Sequence, residues 1–276
     1  MKDVLLIQAT YELGREHEAF GLGPPRLAAA IGGDSVVVDQ PGSSYSETSA
    51  AFEFMRSLAS VVRETVEAGR FPLVVAVHCF TAVGTVAGLG GDVGVIWFDA
   101  HPDFHTPDSS PTGFLDGMGL ALLLGDGWRE ARRTVEGLQP IPAEHAVLVG
   151  ARDIDPTEEP RLAASPLVRA HADTLTPALD TLSSRVDAVY VHVDLDVLDP
   201  SVARVNAYAP EGGFTADQLE QALTAISTRF EVAAAAMTAY DPSVDPEGRV
   251  PRIAARLARR LAPRQGPTSA SSPRSA

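Results

Sequence analysis

Seven short apolar runs punctuate this chain, at about residues 4–7, 35–38, 72–77, 93–98, 146–149, 186–193 and 231–237. Stretches of helical periodicity near 46–68, 80–89, 115–124, 157–164, 176–184, 215–227 and 248–261 lie between or after them. A βαβα rhythm of this kind leaves little choice of architecture. Each crossover must return over the sheet, so the strands run parallel and helices cover both faces. Local signals agree. Ser46-Glu47-Thr48 opens the first long helix and Ala68-Gly69 closes it. Thr215-Ala216-Asp217-Gln218 has the form of a capping box ahead of Leu219, Ala222, Leu223 and Ile226.

Two of the apolar runs end in acids. Val95-Ile96-Trp97-Phe98 leads into Asp99, His101 and Asp103, and Val189-Tyr190-Val191-His192-Val193 leads into Asp194 and Asp196. In a parallel sheet, sites form beyond the carboxyl ends of the strands. Carboxylates gathered there are costly to bury without a cation, so these five side chains point to a two-metal centre. A single D-x-D would be read as ordinary acids capping a helix; two clusters, each following a strand, are a stronger signal. His192 shares a strand face with Asp194 by alternation and reads first as a core histidine.

Composition narrows the function classes. The formal net charge of −14 argues against nucleic acid or an anionic membrane as partner. One cysteine in 276 residues excludes an internal disulfide framework, and no apolar stretch reaches membrane-spanning length. Met1-Lys2-Asp3 runs straight into a strand with no signal sequence, so a cytoplasmic protein is expected. One domain is expected over residues 1–261, with a disordered Ser-, Pro- and Arg-rich tail over 262–276.

The motifs carry a resemblance. Asp99-Ala100-His101-Pro102-Asp103 resembles the D-A-H-x-D signature of the ureohydrolases, the arginase and agmatinase superfamily, and Val193 through Pro200 resembles that family's second signature. Gly113 through Gly117 lies where the family has a glycine loop, and Ala151-Arg152-Asp153-Ile154-Asp155-Pro156 is similar to a segment that contacts the substrate's α-amino group. The resemblance covers roughly residues 1–261. It implies a three-layer α/β/α domain around a central, mostly parallel sheet of about eight strands. It also implies hydrolysis of a guanidino C–N bond by two Mn²⁺ ions, and a homotrimer or homohexamer.

By the same resemblance, Asp99 and Asp194 would bridge the ions, Asp103 would bind one, and His101 with Asp196 the other. Asp103, Asp116 and His101 would serve the chemistry. His105, Thr112, Asp155 and Glu158 would contact a small guanidino substrate, although Asp155 and Glu158 also suit the start of a helix.

Several positions depart from the family pattern. The histidine ligand of the first motif falls on Cys79, within Ala76-Val77-His78-Cys79-Phe80. The proton-shuttling histidine of the glycine loop is replaced by Asp116, which either relays a proton itself or only orders the loop. The glutamate that grips the guanidinium is replaced by Ala239, and His105 and Phe114 stand where asparagines are expected. Thiolate is soft and charged, so the metal position on the Cys79 side is expected to be weak or partly empty. The Cys-for-His change resembles Nω-hydroxy-L-arginine amidinohydrolases, which makes a hydroxyguanidine the leading substrate expectation. Agmatine or another guanidino compound without a carboxylate is the alternative, and a non-catalytic metal-binding homologue the third.

Overall fold

The computed structural model describes residues 3–13, 19–42 and 46–262. The expected C-terminal tail and His17 therefore lie outside the described residues, apart from Ala262. The strands are β1 Val4–Ala9, β2 Ser35–Val37, β3 Phe71–Ala76, β4 Gly94–Phe98, β5 Ala146–Val149, β6 Val168–Ala170, β7 Ala188–Asp194 and β8 Glu231–Thr238. They form one sheet in the order β2-β1-β3-β8-β7-β4-β5-β6. Every strand pairing among the described residues is parallel, where the resemblance implied only a mostly parallel sheet.

The helices are α1 Gly23–Ile31, α2 Glu47–Glu67, α3 Ala82–Leu89, α4 Gly119–Leu123, α5 Arg129–Arg132, α6 Glu159–Ala164, α7 Leu175–Ser183, α8 Ala216–Arg229 and α9 Arg249–Leu261. Ser46 caps α2 by accepting from the Ser49 N–H, and the Thr215–Gln218 capping box is present in full. Three elements are absent from the sequence expectation: β6, α1 and α5. β6 is only three residues long, and α1 begins Gly-Pro-Pro, a sequence that favours a loop unless the prolines fall in the first turn, where their missing N–H costs nothing.

Alternation sorts the strands between two cores. Val74, Ala76, Val95, Trp97 and Tyr190 face a core shared with α2, α3 and α4. Leu73, Val75, Ile96, Phe98, Val189, Val191 and Val193 face a second core shared with α1, α7, α8 and α9. Trp97, Phe98 and Tyr190 are fully buried, each contributing roughly 1.5–3 kcal/mol of transfer free energy. With both faces dry, polar chemistry is confined to the strand ends. The carboxyl ends of β3, β8, β7 and β4 stand side by side at the centre of the sheet.

Candidate metal centre and substrate cavity

Each acid of the two motifs leaves its strand at a defined point. Asp99 follows β4, and the preceding face-mate Trp97 donates its indole N–H to Asp99 Oδ2 at 3.0 Å. Asp99 Oδ1 accepts the His101 backbone N–H at 2.7 Å. Asp194 ends β7 and turns the chain into a short 3-10 segment by accepting the Asp196 N–H at 2.8 Å. Asp196 then reaches across to accept the Ala100 N–H at 3.2 Å. The two motifs are thus bonded to each other through one backbone amide and one carboxylate.

His101 Nδ1 lies 3.3 Å from Asp196 Oδ2 and 3.4 Å from Asp99 Oδ1. One donor atom from each of Asp99, His101 and Asp196 falls within 4.8 Å of the others. Burial works to discharge the imidazole, but hydrogen bonding to Asp196 and then Asp99 outweighs it and pushes His101 up to about 12. Burial, followed by the charge of Asp196, raises Asp99 to about 6. Burial also raises Asp103, with Asp99 adding to it, and Asp194, with Asp196 adding to it. Asp103 adopts φ +48°, and its Oδ2 is buried with no hydrogen-bond partner. Three buried carboxylates that resist ionisation, one with an orphaned oxygen, are the environment a divalent cation relieves. Oxygen donors with one imidazole suit a hard or borderline ion such as Mn²⁺.

Cys79 is the misfit in this donor set. It opens the 3-10 turn Cys79–Thr81 after β3 and is 3 % exposed. Its thiol donates to Asp194 Oδ2 at 2.9 Å and sits 3.1 Å from Thr238 Oγ1. Burial and then the Asp194 charge push the thiol well above its ordinary range. Donor atoms of Cys79, Asp99 and His192 form a second group within 4.8 Å. His192 is already satisfied, however. Its Nδ1 pairs with Tyr190 Oη at 3.0 Å, its Nε2 lies 3.4 Å from Thr238 Oγ1, and its ring stacks on Trp97 at 3.6 Å. Burial holds it down to about 3, so it is a neutral core histidine, as the strand pattern predicts.

These groups open onto a cavity of about 600 Å³ lined by Cys79, His101, Asp103, Asp194 and Asp196. The arginase family's sequence profile matches residues 6–262. An arginase of Brevibacillus brevis is 33% identical over 218 residues, covering 74% of this chain and 73% of that protein. The chain belongs to the arginase family. An arginase of Bacillus caldovelox is 29% identical over 93% of this chain and 97% of its own. That enzyme's native structure superposes with a TM-score of 0.85 at 26% identity, covering 95% of this chain and 98% of the other. The three-layer fold and its sheet are those of this ureohydrolase family, a family of hydrolytic enzymes.

The remaining expected residues of this arginase-family chain also line the cavity: His105, Thr112, Asp116, Asp155 and Glu158. Several are occupied by the fold. Asp155 Oδ1 accepts both the Thr157 N–H and its hydroxyl at 2.8 Å, and these bonds hold its carboxyl below the usual range. Glu158 accepts the Phe104 and Asp155 N–H groups, one on each oxygen. Burial raises its carboxyl, and His105 Nε2 stands 3.8 Å away. Thr112 accepts the Phe114 N–H at 3.2 Å.

Asp116 has a partner that sequence reasoning missed. His78 Nδ1 lies 2.8 Å from Asp116 Oδ2, while Asp116 Oδ1 accepts the Phe80 N–H at 3.2 Å. Asn206 was missed as well. Its amide donates to Asp196 Oδ2 at 3.4 Å and to the Ala239 carbonyl at 3.0 Å, and its carbonyl accepts from Tyr208 and Ala209. An asparagine in a loop has no periodicity to betray it. Ala239 itself adopts φ +64°, a left-handed conformation that is strained for any side chain with a Cβ.

Proposed function

We propose that this chain hydrolyses the C–N bond of a guanidino group in a small cationic compound, with Mn²⁺ as its metal. One observation carries the reading: Asp99, His101 and Asp196 bring donor atoms within 4.8 Å of one another, and His101 and Asp196 share with Asp103 and Asp194 a single cavity whose wall includes Asp153 and Asp155. Asp99, His101 and Asp196 would hold one ion; Asp99, Asp103 and Asp194, with Cys79 beside them, would hold the other. Two divalent ions supply the Lewis acidity that neutral-pH hydrolysis of a resonance-stabilised guanidinium needs.

The chain's own side chains orient the substrate. Asp153 and Asp155 stand on the cavity wall as acceptors for a cationic end. Glu158 keeps Phe104 and Asp155 in place through two backbone N–H groups, and so fixes the loop that carries Asp103 and His105. Asp116 has both oxygens engaged, which supports a role in ordering the glycine loop over a role as proton relay. Among the described residues lining the cavity there is no arginine or lysine, and Phe114 offers no side-chain donor. This favours a guanidino compound without a free carboxylate, agmatine being the simplest example. A second reading, an Nω-hydroxyguanidine such as Nω-hydroxy-L-arginine, is supported by Cys79.

Release of urea, or of hydroxyurea from the N-hydroxylated members, from a panel of guanidino compounds after Mn²⁺ loading tests both readings. The panel pairs members with and without a carboxylate, and with and without an N-hydroxyl. Release from none of them, with metal bound, would defeat the hydrolase assignment.

A further inference from the structure

A guanidinium group fills only a small part of a cavity of about 600 Å³, and cavities of that size take considerably larger ligands. Away from the metal-site acids the lining is mainly apolar, with Phe20, Phe114, Ile154 and Tyr208 contributing to it. Tyr208 stands apart from the rest. Of the large apolar side chains left exposed among the described residues, Leu22, Val37, Val66 and Tyr208, it is the most exposed at 65 %, and it alone lines the cavity.

The backbone that carries this ring is pinned on both sides. Asn206, buried at the start of the loop, accepts the Tyr208 and Ala209 N–H groups on its Oδ1, each at 2.9 Å. Its amide is anchored in turn by donating to the Ala239 carbonyl at 3.0 Å. Beyond Tyr208, Arg152 donates to the Pro210 carbonyl at 2.8 Å and to the Glu211 carbonyl at 3.1 Å. The Gly212 and Gly213 N–H groups then donate to Asp199 Oδ2. An aromatic side chain with few rotatable bonds, on a loop already ordered, gives up little entropy when a ligand covers it. The fold holds ready a contact face that no part of the described chain covers.

We infer that Tyr208 is a specificity-determining residue, and that the substrate is a guanidine with an extended apolar body whose carbon skeleton packs on the Tyr208 ring. The inference rests on the guanidino reading above and names the substrate class within it. Asp153 and Asp155 still serve a distal amine on such a body; Tyr208 reads the carbon that comes before it. Alkyl- and arylalkylguanidines fit this description. Methylguanidine, which has no body beyond the reacting group, leaves the ring uncovered.

The test is calorimetric binding of phenylbutylguanidine and of methylguanidine to the Mn²⁺-loaded protein, read as the ratio of the two affinities. The parent is expected to favour phenylbutylguanidine by at least about tenfold, which withdrawing roughly 60 Å² of apolar surface from water supplies. Tyr208→Ala is expected to lower that ratio by about tenfold, and Tyr208→Phe, which keeps the ring face, to hold it within about threefold of the parent. Equal affinities in the parent, or no binding of either ligand, would overturn the inference. So would an unchanged ratio in Tyr208→Ala, or a loss in Tyr208→Phe as large as in Tyr208→Ala. Light scattering on the same proteins checks the other use of an exposed tyrosine: a changed subunit number in Tyr208→Ala would assign the ring to a contact between copies and overturn the inference. Urea release with a ratio indifferent to Tyr208 would leave the hydrolase reading standing alone. A Tyr208-dependent ratio with no urea from any guanidine would defeat that reading and keep the binding inference.

Discussion

The Cys79 thiol donates a hydrogen bond to Asp194 Oδ2 at 2.9 Å, joining the end of β3 to the end of β7 across the intervening β8. The contact turns a carboxylate oxygen expected to face a metal toward a protein proton instead. A thiol held this way is a poor ligand for a hard ion, because it must first lose a proton that burial and Asp194 both retain.

The first expectation concerns metal content. Cys79→His should raise bound metal toward two ions per chain, because an imidazole donates a lone pair without adding charge. Elemental analysis after dialysis is the measurement. Two tightly bound Mn²⁺ ions in the unsubstituted protein would contradict the expected weakness on the Cys79 side.

Metal and substrate roles should separate by mutation. Asp99→Ala and Asp194→Ala each remove a buried carboxylate from the centre of the cluster, and both should lose most of the metal with all activity. Asp155→Ala should keep the metal and raise KM, since Asp155 lies on the cavity wall and its carboxylate accepts from Thr157 and touches none of the metal-site acids by hydrogen bond among the described residues. An empty metal site in Asp155→Ala would erase the proposed division.

Arg152 should matter to stability more than its position between two motifs suggests. Its guanidinium donates to the carbonyls of Gly150, Asp196, Val197, Leu198, Pro210 and Glu211, tying the β7 exit to the loop that follows it. Arg152→Leu leaves these acceptors without their donor and should cost about 2–3 kcal/mol, lowering Tm by roughly 4–10 °C. Thermal unfolding of the metal-free variant isolates this from metal binding. A shift of under about 1 °C would show that the carbonyls find other donors.

The pH dependence of stability should carry the mark of Asp199. Hydrogen bonds from Ser201, and then from Gly212 and Gly213, hold this carboxyl down at about 2. A folded-state value below the unfolded one, about 3.9, means its stabilisation is present above that value and is lost as pH falls through about 2. The group is partly open to solvent, whose screening keeps the contribution small. Asp199→Asn should therefore be less stable than the parent near pH 6, with the gap closing by about pH 2. A gap of the same size at both ends, in denaturant midpoints, would assign the effect to shape instead of charge.

The sheet and the acid clusters were legible because both obey strong periodic rules. Buried parallel strands are continuous apolar runs, and Asp99 and Asp194 mark where two of those runs end. β6 escaped because Val168-Arg169-Ala170 is too short to show any period. The His78–Asp116 pair escaped for another reason. Its members lie 38 positions apart, on a strand exit and a loop, and only the packing of the glycine loop against that exit brings them together. Asp116 was read against its own loop backbone, whereas its partners belong to the turn after β3.

The place of β8 in the sheet has a consequence for how the site comes into being. β8 is the last of the described strands in chain order, yet it lies at the centre, between β3 and β7. Its partners are remote: Leu73 pairs with Ala235, more than half the chain away. Cys79 is carried by one half of the sheet and Asp99 by the other, and only β7 with β8 can join them. A growing chain therefore has every metal-site acid in hand well before it has a place to put them. The cavity cannot be assembled piecemeal from the N-terminus: its two halves meet only once β8 is in place, and that pairing carries the loop-closure cost of a long sequence separation.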